Sequence, residues 1–224
     1  KHLMSEALGR NVRITVATLD YFSNVTDVIA SPTLISESYV TEIAALSMRD
    51  GMTGLYNHSS YYELLELEFK NHRRYGAGVS LILMDIDDFK RFNDRFGHRT
   101  GDDVLKMIAA SMRQIPGGRA FRYGGEEFAV VFTGRAAPKA SDRMETFRAS
   151  LARTPFVVRG VPRSTKKARG RKTGGMASRQ RVKITVSVGV AVPATGGRKA
   201  PEVLVAADKA LYRAKKAGRN RVAA

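Results

Sequence analysis

No cysteine occurs among the 224 residues. Disulfides, thiolate chemistry and cysteine-based zinc sites are thereby excluded, and the composition suits a reducing cytoplasm. Long apolar runs are missing as well. The longest, Val79 to Met84, is broken only by Ser80 and falls far short of the roughly 20 residues that cross a bilayer. The start, Lys1-His2-Leu3-Met4, has neither a methionine at position 1 nor a signal-peptide pattern. It is read as a piece of a longer protein, one that could carry an upstream membrane or sensor domain. Acidic residues are absent from Arg159 to Lys183, a stretch that holds ten Lys and Arg.

What is present is the composition of a soluble globular protein, with 43% hydrophobic and 26% charged residues. The length suits one domain of common size plus an accessory segment. A net charge of +17 favours anionic partners such as nucleotides, nucleic acid or acidic lipid. That charge reports chiefly on residues 159–183, which read as a flexible basic loop enlarging a hairpin between two late strands. Contact of the loop with nucleic acid or an acidic membrane is the less favoured alternative, and the lack of any aromatic residue there weakens base stacking.

Periodicity places the elements. Val12, Val16, Leu19, Phe22 and Val25 form one stripe of a helix over about 6–30, and Tyr39, Ile43 and Leu46 one of a second over Thr33–Met48. Together, residues 1–48 read as a helical regulatory or dimerisation segment, or else as ordinary core helices. Residues 49–224 form the second domain. In it, a helix over Ser60–Tyr75 precedes a strand at Val79–Asp85, whose near-continuous apolar run indicates burial on both faces. Helices are expected from near Asp88, over Asp102–Ile115, around Met144–Leu151 and over Pro201–Lys216. Ala120–Tyr123 and Glu127–Phe132 flank Gly124-Gly125, a hairpin signal because glycine supplies the positive φ of tight turns. Ile184, Val186, Val188 and Val190 alternate as in a strand. The mixture indicates an α/β or α+β sandwich, not a strictly alternating βαβ fold.

Asp85 closes the buried strand and Asp87 lies two residues on, so both can point to one face. A bare carboxylate at the mouth of an apolar strand is costly unless a metal or a basic residue pairs with it. Glu126 and Glu127, on the glycine hairpin, could be brought beside Asp85. Such a carboxylate set suits Mg²⁺, with its preference for oxygen ligands. Taken singly, each feature is bland: acid pairs at strand ends are usually solvated, Asp102 alone is a helix N-cap, and Lys215 with Arg219 alone complement a helix dipole.

Jointly, the motifs resemble the GGDEF-domain diguanylate cyclase family. Asp50-x-x-Thr53-Gly54-Leu55-x-Asn57 looks like the family's opening motif, and Met84-Asp85-Ile86-Asp87-Asp88-Phe89-Lys90-x-Phe92-Asn93-Asp94 like its metal and substrate strand. Phe96-Gly97-His98-x-x-Gly101-Asp102 follows at the familiar interval. Arg122-Tyr123-Gly124-Gly125-Glu126-Glu127-Phe128 is similar to the signature hairpin, and Ala214-Lys215-Lys216-Ala217-Gly218-Arg219-Asn220 to the closing motif. The match runs from about Asp50 to Val222, in order.

The resemblance implies a central, mostly antiparallel sheet flanked by helices, of the nucleotide-cyclase or palm-like kind, preceded by the N-terminal helices. It implies condensation of two GTP into cyclic di-GMP with release of two pyrophosphates, by a Mg²⁺-dependent homodimer (Mn²⁺ as the alternative ion) whose catalytic domain is cytoplasmic. Asp85, the carbonyl of Ile86, Glu126 and Glu127 would hold the metal. Glu126 would also accept the proton of the attacking ribose 3′-hydroxyl, although adjacent acids on one metal can trade roles. Lys90 would steady the transition state. Asn93 and Asp102 would read guanine, with His98 shaping the pocket. Lys215 and Arg219 would clamp phosphates, and Gly124 and Gly125 would let the backbone approach them. Two departures stand out. Ile115-Pro116-Gly117-Gly118 occupy the place of the family's Arg-x-x-Asp feedback site, so inhibition through it should be absent. His58 stands where arginine is usual, a change expected to loosen a structural contact without abolishing activity.

Overall fold

The computed structural model of the protein describes residues 47–161, 178–193 and 199–224, and every element named below lies in the compact unit Met48–Ala224. The helices expected before Met48 and the tip of the basic loop fall outside the described residues.

Helix α1 (His58–Tyr75) starts where the Asn57 side chain accepts from the Ser60 amide and stops at Gly76, whose φ of 67° is left-handed. Strand β1 (Val79–Ile86) follows, then α2 (Phe89–Phe96), α3 (His98–Met112), β2 (Gly118–Arg122) and β3 (Glu127–Thr133). A 3₁₀ turn leads into α4 (Ala140–Arg153), a two-stranded sheet of β4 (Phe156–Val161) and β5 (Ser178–Val182), β6 (Val186–Ala191), α5 (Ala200–Lys216) and the short β7 (Val222–Ala223). The five-stranded sheet runs β2-β3-β1-β6-β7. β1 is antiparallel to both its neighbours, and β7 alone pairs in parallel. This is the mixed, mostly antiparallel sheet flanked by helices that the family resemblance implies. Among the described residues, no helix is long and apolar enough to cross a membrane.

The central place of β1 explains its composition. All eight of its residues are buried. Ile82, Met84 and Ile86 face one core with Val104 and Ile108 of α3 and Met144 of α4. Leu81 and Leu83 face another with Tyr61, Leu65 and Phe69 of α1 and Ala207 and Leu211 of α5. Ser80, the one polar break in the run, donates to the Ala137 carbonyl at 2.8 Å and so is satisfied in the dry interior. Asp85 shares its face with the α1–α5 core, which points its carboxylate toward α5.

Three boundaries differ from expectation. The basic loop expected over 159–183 is shorter, because β4 runs on to Val161 and β5 starts at Ser178. α3 begins at His98, not Asp102, because Gly97, with φ of 83°, turns the chain after α2, and its carbonyl accepts from the amides of Thr100 and Gly101. Asp102 is therefore inside the helix and does not cap it. Ile184 is buried but precedes β6, which opens only at Val186.

α5 lies hard against β6 at Gly189. A Cβ there would come within 2.2 Å of the Ala207 carbonyl oxygen and 2.3 Å of the Leu211 amide nitrogen, both backbone atoms that cannot swing aside. Gly189→Ala should cost about 1–3 kcal/mol or more by overpacking. Chemical denaturation would check it, and an unchanged midpoint would contradict this packing.

Candidate active site at the glycine hairpin

The open end of β1 gathers the charged residues. Asp85 stands directly opposite Glu127 in the β1–β3 register, so both side chains leave the sheet on one face. The Ile86 amide donates to the Glu126 carbonyl at 3.3 Å, which ties the hairpin to β1. Asp85 is 6% exposed, and Lys215 of α5 reaches it with Nζ 2.7 Å from Oδ2. Burial pushes the Asp85 carboxyl above its ordinary range and outweighs the hydrogen bond and charge of Lys215. Burial likewise raises Glu126, helped by the charges of Asp85 and Glu127 and opposed by Lys215. Negative charge is thus crowded at one spot, with one ammonium to offset it. Among the described residues, no three acids or histidines stand grouped as a ready metal cage. Hard oxygen donors that disfavour their own ionisation are nonetheless the donor chemistry a divalent cation suits.

Asp87 has a different task. Its carboxylate accepts from Thr185 Oγ1 and Ser187 Oγ, each at 2.7 Å, and from the Asn220 amide at 3.0 Å. Three donors make it an anchor between β1, β6 and the turn after α5. Nothing in the sequence separated it from Asp85, because the donors lie 98 to 133 residues away. Arg219 is placed by this turn: it has a left-handed φ of 60° and sets Nε 3.7 Å from Asp88.

The hairpin is not built as its glycines suggest. Neither Gly124 nor Gly125 has a positive φ. The connection runs from Tyr123 to Glu126, and the Tyr123 and Gly124 amides both donate to the Glu127 carbonyl, at 2.9 and 3.0 Å. What the loop lacks in tight-turn geometry is supplied by Arg122. Its Nε donates to the Gly124 carbonyl at 2.6 Å and its Nη2 to that of Gly125. Its guanidinium lies 3.8 Å from Asp50 and 5.5 Å from the centre of the Phe128 ring. Asp50 in turn accepts from the Thr53 amide and hydroxyl at 2.8 and 2.6 Å. Burial alone would raise the Asp50 carboxyl, but these bonds and the Arg122 charge hold it below its ordinary range. The opening motif and the signature motif are therefore one brace. Sequence reasoning quoted Arg122 and Asp50 without giving either this role, for which adjacency to the glycines is the only signal.

His58 packs among aromatic rings. Its ring centre lies 4.9 Å from Tyr62 and 5.2 Å from Tyr123, and the two tyrosine hydroxyls are 3.1 Å apart. An aromatic cluster thus replaces the usual arginine beside the hairpin.

The expected base-reading residues come together on α2 and α3. Asn93 is packed against Gly101, where a Cβ would come within 2.0 Å of its amide oxygen. That oxygen is buried without a hydrogen-bond partner. Asp102, half-buried on the next residue, is close enough to Arg122 for its charge to act on the guanidinium. Lys90 and His98 are exposed on α2 and at the start of α3. Ile115 is a core residue, and Gly117 has φ of 69°, so the place of the feedback motif is an apolar corner followed by a turn.

Comparison with known proteins agrees with this geometry. The family model described as diguanylate cyclase, GGDEF domain, matches residues 47–221. The chain is 37% identical over 188 residues to diguanylate cyclase DgcP of Pseudomonas aeruginosa, covering 83% of this chain and 25% of that protein. It is 32% identical over 228 residues to the probable diguanylate cyclase DgcC of Escherichia coli, covering 96% of this chain and 56% of that one. It thus spans about a quarter to a half of the length of these relatives. Among solved structures, the GGDEF domain of DgcB from Caulobacter crescentus in complex with c-di-GMP is 33% identical, with a TM-score of 0.66 over 79% of this chain and 95% of that one. The coiled coil and GGDEF domain of the same protein superimposes with a TM-score of 0.70 at 27% identity, over 94% of this chain and 98% of that one. An acid-bearing glycine hairpin braced on the open end of a central antiparallel strand, and a family match over most of its length, place this chain in the GGDEF-domain diguanylate cyclase family.

Proposed function

We propose that the chain joins two GTP molecules into cyclic di-GMP, releasing two pyrophosphates, as a cytoplasmic homodimer dependent on a divalent metal, Mg²⁺ before Mn²⁺. The observation that carries this reading is the crowding of Asp85, Glu126 and Glu127 at the open end of β1, with Lys215 as counter-charge.

Asp85, Glu126, Glu127 and the Ile86 carbonyl are the groups that would hold the metal. When bound, it neutralises the triphosphate and the charge that builds on the α-phosphate and the leaving group. Glu126 takes the proton of a ribose 3′-hydroxyl as that oxygen attacks the α-phosphorus of the facing GTP. The new P–O bond forms as the bond to the β-phosphate breaks, and pyrophosphate leaves with the electron pair. Repeating the step in the other direction closes the ring. A site that holds one GTP cannot do this alone, so two protomers must face each other, and residues 1–48 are suited to bias that pairing. Lys215 and Arg219 offer cations to the phosphates, and Lys90 steadies the transition state. Asp102 accepts from guanine N1 and N2, hydrogens that adenine lacks, while Asn93 completes the base contact and His98 edges the pocket. Gly124 and Gly125 keep the hairpin free of side chains where phosphates approach.

Incubation with GTP and Mg²⁺ and identification of the product by mass tests the reading. Cyclic di-GMP should form and a chelator should abolish it. Tight GTP binding without turnover would instead make the chain a nucleotide-binding module. Asp102→Ala should erode the preference for GTP over ATP by at least tenfold in kcat/KM, because an acceptor that selects by hydrogen bonding is removed. Retained preference would remove Asp102 from base reading. Added cyclic di-GMP should not inhibit through the corner at Ile115–Gly118.

A further inference from the structure

The β4–β5 sheet has no role in the chemistry above. Its inner face is apolar: Val158 is buried, and the Phe156 ring meets Phe92 edge-on at 6.2 Å between centres. Val182 and Gln180 pair with these two residues and share their face. Strand alternation therefore puts Arg179 and Arg181 on the outer face, with Lys183 next in the same alternation. All three are exposed. Arg181 is registered opposite Val157 and Arg179 opposite Arg159. Among the described residues, none of the three forms an ion pair with an acid. The surrounding sequence has one sign throughout, with no Asp or Glu from Arg159 to Lys183.

A row of like charges with no acid among them is electrostatically unfavourable until an anion lies along it. The spacing says which kind of anion fits. Alternate side chains of a strand are about 6.8 Å apart, twice the roughly 3.4 Å axial rise between phosphates on one strand of B-form DNA. A membrane surface also attracts cations, but stable docking there adds apolar or aromatic anchors. Among the described residues the outer face offers Val157 alone as a large apolar side chain, and residues 159–183 contain no aromatic. Without aromatics the face also lacks the rings on which bases usually stack.

We infer that the outer face of this hairpin is a sequence-independent binding site for the phosphate backbone of nucleic acid, separate from the GTP site.

The test compares the full chain with the R179A/R181A/K183A variant by fluorescence anisotropy on a labelled mixed-sequence duplex. Wild type should bind more weakly as salt rises. The variant's plot of log affinity against log salt should be shallower by about 2–3, since each lost phosphate contact removes about 0.9. Unrelated duplexes should compete equally, and GTP turnover should be the same in both proteins. An unchanged slope, or no binding by wild type at low salt, overturns the inference. So does a loss confined to vesicles rich in phosphatidylserine, with duplex binding intact, because the partner would then be a membrane.

Discussion

Replacing Glu126 with glutamine should lower the rate of cyclic di-GMP formation by about 10²–10⁴-fold, the usual worth of a positioned general base, and should at the same time raise the thermal unfolding midpoint. The rate falls because an amide cannot take the proton of the 3′-hydroxyl. The stability gain follows from the direction of the pKa shift. Burial first, then the charges of Asp85 and Glu127, raise the folded-state pKa of Glu126 above its ordinary 4.5, against the pull of Lys215. A carboxyl whose pKa is raised by folding holds its proton more tightly in the native state. Its ionisation therefore costs stability as pH climbs past 4.5, and the cost is complete once pH exceeds the raised value. Glutamine has no charge to strand. The stabilisation should thus fade as the pH falls through the raised value and be gone below 4.5. Wild-type activity should itself decline as pH drops through the raised value. Purified Glu126→Gln protein that turns over GTP at the wild-type rate would end the assignment of Glu126 as base. A variant melting below wild type at pH 7 would instead show that the carboxylate is paired.

Arg122→Ala should reduce turnover by about a hundredfold, because displacement of a reacting group by about 1 Å is enough for such a loss. The guanidinium holds the carbonyls of the two glycines that immediately precede Glu126, and Asp50 and Phe128 hold the guanidinium. Removing it frees the loop and takes from Asp50 its cationic partner, leaving it the donors of Thr53 and the Met52 amide. Stability should fall by about 2 kcal/mol, in the range for hydrogen bonds to a charged group. Lysine should restore little of the activity, since one ammonium cannot replace a planar fork that serves two carbonyls. A positioning role predicts a fall in kcat with the pH profile of Glu126 preserved in shape. Full activity in a variant that merely melts earlier would reduce Arg122 to a structural residue.

Much of the architecture could be read from local pattern. β1 announced itself by an apolar run that only a strand covered on both faces needs, and the helices expected over Ser60–Tyr75 and Pro201–Lys216 correspond closely to α1 and α5. The order of the acid, glycine and lysine motifs was enough to suggest the family. Errors arose where a local signal had two physical readings. Asp102 looked like a cap, yet Gly97 turns the chain and the helix starts earlier. Gly124-Gly125 looked like a tight turn, yet neither glycine is left-handed, and an arginine two residues upstream fixes the loop.

Residue type and short-range spacing were therefore enough for most strands and helices, because burial periodicity acts over a few residues, while the sheet type and the list of site residues came with the family resemblance. The sequence does not separate Asp85, which is left short of solvent with one lysine, from Asp87, which is saturated by Thr185, Ser187 and Asn220. Nor does it reveal that Asp50 braces Arg122, or that Arg179, Arg181 and Lys183 lie outward on one face. Those distinctions depend on desolvation and on charges brought together from opposite ends of the chain, and neither exists until the fold has formed.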